Sequence, residues 1–436
     1  MYRINPFIHI YEKGEYKALY NTLNLKTLYV ENISYDSIIN NPNEQVLKEK
    51  FIVGTDFSAL EYFNENYPRE RNNDIFVAYF LLTSECNFNC KYCFVESRID
   101  INDNTLMSKE TAEKSIQLLR RNIKKDNTVT LIFYGGEPLL NFDTLKYIVN
   151  RTHELQMNVK YNVVTNGSIL NQEILDLIIE NQIEVGISLD GDEITNDTMR
   201  IDNNNNGTYH RVMHNLSELV KNNIIPGISC TISSHNIDKI DAIIPILEKF
   251  NIKGFGYNLP SDNNNIYISK SEKKAIVKNL LSAEDTIFKK RIFEDRIINR
   301  RVKSFVEKRI WLKDCAGYGQ QIVITPKGSV GICHGLWPDQ INNKINSYYD
   351  INVDFEGKIT ELPTWQEWFS RTPFNMPHCW NCEAIGLCGG GCAKNAYLRT
   401  GSIWDIDEDI CILMKEVVPW IVWKYFEIKV ESELKN

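Results

Sequence analysis

The sequence predicts an α/β chain built on a parallel sheet, with a small α+β region before it and a cysteine-rich region after it. Three observations carry this. Between Phe76 and Pro260 six apolar runs alternate with helical periodicities, the order expected of strand–helix–strand units with right-handed crossovers. Ahead of them, three short strand patterns follow one another with only tight turns between. Beyond them, seven of the eleven cysteines fall after residue 314.

Composition narrows the function classes. Lys plus Arg number 49 against 57 Asp plus Glu, giving a net charge of −8 and a pI near 5.6, which argues against a nucleic-acid partner. The 436 residues suit two or three domains. The opening Met1-Tyr2-Arg3-Ile4-Asn5-Pro6 lacks the apolar core of a signal peptide, and no apolar run approaches the roughly 18 residues of a span, so a cytoplasmic chain with no membrane partner is expected. Eleven cysteines in a reducing compartment favour metal ligation over disulfides.

Taken in order, residues 1–67 open as a meander: Phe7–Tyr11, a turn at Lys13-Gly14, Tyr16–Tyr20, then Lys26–Val30. Helical patterns follow at Asn43–Lys50 and after Asp56, which is placed to cap a helix whose Leu60 and Phe63 share a face. Polar Pro68–Asp74 reads as a linker. The sheet region, 75–260, has strands expected at Phe76–Leu82, Thr128–Tyr134, Val159–Thr165, Glu184–Leu189, Ile225–Ile232 and Lys253–Leu259. Helices are expected at Lys109–Ile123, Phe142–Leu155, Gln172–Asn181, Tyr209–Lys221 and Ile237–Phe250. The Asn-rich turn Asp202–Gly207 reads as a solvated loop, and Cys230, inside a strand, as a small buried residue. Residues 261–311 read as a charged helical bridge, 312–413 as the cysteine-rich domain and 414–436 as a packed helix starting or kinked near Pro419.

The first strand leads into Cys86-x3-Cys90-x2-Cys93. Three thiolates on so short a loop can converge on one face of a [4Fe-4S] cube and leave its fourth iron free for a small molecule. A structural zinc asks for a fourth Cys or His, and the loop has none. The stretch resembles the radical S-adenosylmethionine (SAM) superfamily. The resemblance implies that the free iron chelates the SAM amino and carboxylate groups and that a cluster electron cleaves the sulfonium to a 5′-deoxyadenosyl radical. Tyr92 matches the family's aromatic beside adenine. Gly135-Gly136-Glu137-Pro138, after the second strand, matches the motif that holds the SAM amino group. Thr165-Asn166-Gly167 ends the third strand as the family's similar triplet does. Ser188-Leu189-Asp190-Gly191 and Arg200 resemble its contacts to a ribose or carboxylate oxygen (Ser188) and to the SAM carboxylate (Arg200). Leu259 is read either as an adenine neighbour or as a core leucine. The implied architecture is a partial (β/α)6 barrel with its site at the C-terminal strand ends.

The later cysteines begin at Cys315, continue through Gly328 to Cys333, and resume as Cys379-x2-Cys382-x5-Cys388-x3-Cys392 before Cys411. This order resembles the SPASM extension. Seven thiols exceed the four that one zinc takes. The resemblance assigns Cys379, Cys382, Cys388 and Cys411 to a distal cluster and Cys315, Cys333 and Cys392 to a nearer one, with Gly386, Gly389, Gly390 and Gly391 supplying sharp turns. It implies three [4Fe-4S] clusters, SAM, a reduced flavodoxin or ferredoxin as electron donor, and a ribosomal precursor peptide. The N-terminal meander then reads as a winged-helix-like domain to whose sheet edge a leader peptide adds a strand; the alternative is a structural cap. The expected activity is peptide maturation, forming a Cys thioether. Sulfatase maturation is the rival, although those enzymes usually carry an Asp base where His334 follows Cys333. A non-catalytic iron-sulfur scaffold that binds peptide would need no SAM motifs. Two cubes need eight ligands and the extension supplies seven; Gln320, Gln321, His334 or a substrate thiolate could fill the gap. No catalytic base is assigned.

Overall fold

The computed structural model describes residues 2–58, 61–62, 74–93, 105–124, 126–232, 235–258, 269–290, 294–295, 298–336, 349–351 and 357–433. Leu60, Phe63 and Leu259 lie outside them. The chain forms two compact units: Met1–Asn72, Ile298–Cys315 and Arg371–Asn436 make the first, Asn73–Ile297 and Ala316–Ser370 the second.

In the first unit, β1 (Tyr2–Ile4) pairs antiparallel with β5 (Ile52–Gly54), while β2 (Ile8–Lys13), β3 (Tyr16–Asn21) and β4 (Thr27–Glu31) form an antiparallel sheet in that order. Alternation gives the sheet two different faces. Leu19 and Val30 join Val46, Phe51 and Ile52 in a small core, with Ile8 and Leu28 packed against it. The opposite face carries Tyr16, Tyr20 and Tyr29. Tyr29 meets Trp423 and Phe426 with ring centroids 6.1 and 4.8 Å away, and its hydroxyl donates to the Val422 carbonyl at 2.6 Å. Asn43 caps the helix Glu44–Lys48, its side chain accepting from the Val46 N–H. The expected cap at Asp56 is displaced: the Ser58 hydroxyl accepts from Glu61 N–H. The last helix runs Glu408–Glu433 with Pro419 inside it, so it begins well before the proline. Asp407 starts it, its Oδ1 accepting from the Asp409 and Ile410 N–H groups at 3.2 and 3.4 Å. Buried Val417, Val418, Ile421 and Val422 flank the proline and offset the hydrogen bond it forfeits.

In the second unit, the strands are β6 (Val77–Thr83), β7 (Val129–Gly135), β8 (Val159–Thr165), β9 (Glu184–Ser188), β10 (Gly227–Thr231), β11 (Gly254–Asn258), β12 (Glu294–Asp295), β13 (Gln321–Ile324), β14 (Ser329–Gly331) and β15 (Tyr349–Asp350). They form one sheet in the order β12-β11-β10-β9-β8-β7-β6-β13-β14-β15, parallel from β12 to β13 and antiparallel beyond. Parallel pairing needs helical crossovers, and the helices Lys109–Asn122, Phe142–Glu154, Gln172–Glu180 and Tyr209–Lys221 supply them. A buried row crosses the sheet through Phe80, Phe133, Val163, Ile187, Ile228 and Phe255. The alternate row, with Tyr79, Tyr134, Ser188 and Ser229, is available to a site. Cys230 is 2% exposed and sits in the buried row. The expected helix at Ile237–Phe250 divides into a 3-10 segment, Ile237–Ile243, and an α-helix, Ile244–Lys249, with Pro245 at the break. The charged bridge likewise resolves into helices Lys270–Lys290 and Asn299–Glu307. No helix among the described residues is long and apolar enough to cross a membrane.

Candidate active site at the strand ends

The three-cysteine loop follows β6 and is tied down along its length. Asn89 N–H donates to Ile201 C=O at 2.8 Å, Lys91 N–H to Met199 C=O at 3.0 Å, and Lys91 Nζ to Thr198 C=O at 2.7 Å. Asn203 reaches the Cys86 carbonyl at 3.3 Å, and Phe88 forms an antiparallel bridge with Asp202. The Asn-rich turn is therefore not simply solvated. Asp202 is 7% exposed, its Oδ1 accepts from Asn204 N–H and Asn206 N–H, and the turn it closes docks on the cysteine loop. Two donors point at the Cys86 sulfur: Phe88 N–H at 3.4 Å and the Asn166 amide at 3.7 Å. Asn166 also donates to Asn87 Oδ1 at 2.8 Å. Burial pushes the Cys86 thiol up to about 12, against the Phe88 hydrogen bond, so thiolate character there requires a cation.

Gly135 and Gly136 are explained by backbone contact with this loop. Gly135 has φ +141°, and a Cβ on it would stand 2.3 Å from Thr83 O; one on Gly136 would stand 2.1 Å from Glu85 O. Gly136 N–H and Glu137 N–H instead donate to those two carbonyls, each at 2.8 Å. Glu137 is fully buried. Its Oε1 accepts from the Thr165 hydroxyl at 2.7 Å and Leu139 N–H at 3.1 Å, and its Oε2 from Asn166 N–H at 2.8 Å. Burial pushes its carboxyl up to about 7 despite those bonds. Four acceptor positions with three filled by described residues leave Oε2 one more, which suits an ammonium donor.

Asp190, just past β9, joins the remaining residues. Its Oδ2 accepts from the Tyr92 hydroxyl and lies 3.1 Å from Arg200 Nε, while Oδ1 accepts from Thr231 N–H at 2.9 Å. The Arg200 guanidinium also lies over the Tyr92 ring, 5.3 Å from its centroid. The Arg200 and Asp190 side chains are 8% and 1% exposed, so this is a buried pair. Thus one carboxylate fixes the aromatic between the second and third cysteines and the arginine together. Sequence reasoning quoted Asp190 and Thr165 within their motifs and Asp202 within its turn but gave them no role at the site, and Asn87 was missed. Ser188 ends β9 on the available row, in register with Ser229, whose hydroxyl accepts from Asn258 at 2.6 Å.

The first unit holds Cys379, Cys382, Cys388 and Cys411. Gly389, Gly390 and Gly391, after Cys388, all have positive φ (71°, 86° and 66°), and a Cβ on Gly389 would meet Asp314 N at 2.5 Å. Gly386 is different: it lies in the short helix Ile385–Cys388 and its absent side chain makes room for Thr22 O, 2.7 Å from the Cβ position. Asp407 Oδ2 accepts from Cys392 N–H at 2.9 Å, so the residue that caps the last helix also fixes the segment after Cys388. Burial pushes the Cys379 and Cys411 thiols up to about 11 and 12, and raises Cys388 as well. Cys315 and Cys392 belong to the first unit and Cys333 to the second. Among the described residues no group of three or more His, Cys, Asp or Glu closes on a single-ion position. A cube takes each thiolate at a different iron and does not require that convergence. Sulfurs with N–H donors aimed at them, and a buried carboxylate with an open acceptor position, fit an iron-sulfur cube and a ligand bearing an ammonium.

Residues 80–244 match the Radical SAM superfamily. The radical SAM cyclopropyl synthase TigE of Paramaledivibacter caminithermalis is 23% identical over 417 residues, covering 89% of this chain and 83% of the relative. A cysteine-type anaerobic sulfatase-maturating enzyme of Clostridium novyi is 24% identical over 340 residues, covering 72% of this chain and 86% of the relative. Among solved structures, Streptococcus suis SuiB bound to precursor peptide SuiA shares the fold, with a TM-score of 0.57 and 14% identity over 94% of this chain and 100% of that one.

Proposed function

We propose that this chain, whose residues 80–244 match the Radical SAM superfamily, is a maturase that modifies a ribosomally made precursor peptide. The reading rests on one observation: the three-cysteine loop, Glu137, Asn166 and the Asp190–Arg200 pair are bonded together at the C-terminal ends of neighbouring parallel strands. When bound, the cluster and SAM supply a one-electron cleavage that yields a carbon radical able to take a hydrogen atom, the electron coming from reduced flavodoxin or ferredoxin. Cys86, Cys90 and Cys93 hold the cluster. Glu137 accepts from the SAM ammonium. Arg200, oriented by Asp190, offers its remaining N–H groups to the carboxylate, and Ser188 offers its hydroxyl to a ribose or carboxylate oxygen. Asn166 keeps a donor on the Cys86 sulfur. Cys379, Cys382, Cys388 and Cys411 hold an auxiliary cluster, and Cys315, Cys333 and Cys392 are the remaining thiolates of a three-cluster enzyme. Peptide as substrate is supported by the precursor peptide named with SuiB.

The bond formed is a thioether between a peptide cysteine and a carbon. The seven-cysteine count supports this, because it leaves one auxiliary iron without a cysteine and free for a substrate thiolate. Forming the C–S bond breaks one C–H and one S–H bond: the hydrogen atom from carbon would go to the deoxyadenosyl radical, the thiol proton to solvent and the one electron left over to an auxiliary cluster. A second reading, carbon–carbon ring closure, is favoured by the extent of the match to TigE. Anaerobic turnover with SAM and precursor separates them. A product two hydrogens lighter that no longer takes up iodoacetamide is a thioether. An equally light product with its thiols still reactive is a ring, and an aldehyde captured by hydrazide turns the reading to sulfatase maturation. Absence of 5′-deoxyadenosine from every reaction would reject enzyme function.

A further inference from the structure

The tyrosine-bearing face of the N-terminal sheet contains two hydroxyls without partners among the described residues. Register pairs His9 with Tyr20 and Tyr11 with Ala18, so Tyr11 and Tyr20 lie on the same face of adjacent strands, opposite the small core of Leu19 and Val30. Tyr20 is fully buried and its ring lies 5.9 Å from Phe305. The hydroxyl oxygens of Tyr11 and Tyr20 are both buried, and neither has a hydrogen-bond partner among the described residues. A buried hydroxyl left this way is destabilising, so two together call for an acceptor at this place.

The neighbouring chain supplies the place. β3 continues to Thr22, whose carbonyl oxygen is 2.7 Å from the Cβ position of Gly386, between Cys382 and Cys388. The sheet therefore lies against the segment that carries two of the four cysteines. The Cys382 sulfur accepts from Ala384 N–H at 3.5 Å, and sulfur has capacity for further donors. We propose that Tyr11 and Tyr20 donate hydrogen bonds to the sulfur shell of the cluster held by Cys379, Cys382, Cys388 and Cys411, so that the N-terminal sheet helps set that cluster's reduction potential. This rests on the four-cysteine assignment made above. Burial first, then nearby Glu383 and Cys382 for Tyr11 and nearby Tyr11, Cys382 and Glu383 for Tyr20, raises both phenols, and each stays a protonated donor. Donors to cluster sulfur stabilise the more negative reduced state and raise its potential. A peptide that moved the sheet would then be felt at the cluster.

The test uses the full chain, reconstituted anaerobically and titrated with dithionite while the electron paramagnetic resonance signals are followed. The distal signal is the one lost in Cys388→Ala together with about four iron. Tyr20→Phe and Tyr11→Phe are expected to keep the parent iron content and to lower the midpoint of that signal. The double variant is expected to make reduction about tenfold less favourable, about 59 mV for a one-electron couple. In D2O, exchangeable deuteron couplings seen in the parent should be lost from the double variant, which a merely structural role for the rings would not cause. Unchanged midpoint and couplings at full iron content would overturn the proposal. So would Glu383→Gln shifting the midpoint as far as the double variant with no additivity, because the hydroxyls would then serve that carboxylate. If Cys388→Ala lost neither iron nor a signal, the cluster assignment itself would fail and the proposal with it.

Discussion

Asp190 shows how much one buried side chain decides here. Arg200 and the Tyr92 hydroxyl share its Oδ2, and Thr231 N–H takes Oδ1. Arg200→Ala therefore has two effects. It removes a charge-assisted donor from the SAM carboxylate, weakening binding by about 1.5–3 kcal/mol, or roughly ten- to a hundredfold. It also strands a buried carboxylate, at about 3–5 kcal/mol of stability. Pairing it with Asp190→Asn separates the two, since the double variant is expected to recover much of the urea midpoint while SAM affinity stays low. Anaerobic calorimetric titration with SAM reads the first effect, and parent-like affinity in both variants would remove Arg200 from the site. The cysteines and Glu137 were legible in the sequence because local spacing carries them. Asp190's part was not, because its partner Tyr92 is 98 residues away and no local pattern encodes that bond. The glycines before Glu137 were legible as a close approach, but what approaches is the backbone of residues 83–85, which only the fold reveals.

At the scale of elements, the six central strands fall within a few residues of where their apolar runs placed them, because strands buried in a parallel sheet read as continuous hydrophobic stretches. β13 escaped notice: Gln321–Ile324 is four residues long, and its burial depends on pairing with distant β6. The helix Glu193–Met199 was also missed, being under two turns and started by Asp192, whose side chain accepts from Thr195 N–H. The crossover helices Lys109–Asn122 and Phe142–Glu154 are joined at their surface by Glu113. It accepts from Arg151 Nε at 2.9 Å and Nη2 at 3.2 Å, from Gln117 at 2.8 Å and from the Tyr147 hydroxyl at 2.8 Å. Those bonds, Arg151 foremost, hold its carboxyl at about 2. A depressed carboxylate contributes stability that is present above its usual pKa near 4.5 and is lost as pH falls from there toward 2. Urea unfolding of the cluster-free chain should show Glu113→Gln less stable than the parent at pH 6, with the difference smaller at pH 3 and gone only below about pH 2. A difference as large at pH 3 as at pH 6 would assign the effect to shape rather than charge.

Whole-molecule behaviour follows from cofactor count and from what the N-terminal sheet covers. About twelve iron and twelve sulfide are expected per reconstituted chain, and replacing Cys86, Cys90 and Cys93 together with Ala should remove about four of each and all SAM cleavage. Continued release of 5′-deoxyadenosine by that variant would contradict the assignment. Peptide recognition needs a finer tool than truncation. Tyr16 and Tyr29 both contact Phe426, and Tyr20 contacts Phe305, so removing residues 1–67 would uncover apolar surface within the first unit and is expected to cost soluble yield before it reports on binding. β2 offers the cleaner test, because its outer edge is unpaired among the described residues. Lys13 and Tyr16 flank a two-residue hairpin turn, so they exchange both backbone bonds, and alternation then directs the Ile10 N–H outward. Ile10→Pro removes that outward donor while sparing the bonds to β3, a substitution that edge strands tolerate. If the leader adds a strand there, the variant should bind labelled precursor more weakly and raise its KM, with substrate-free SAM cleavage and iron content unchanged. Parent-like affinity and KM would return the sheet to the role of a structural cap.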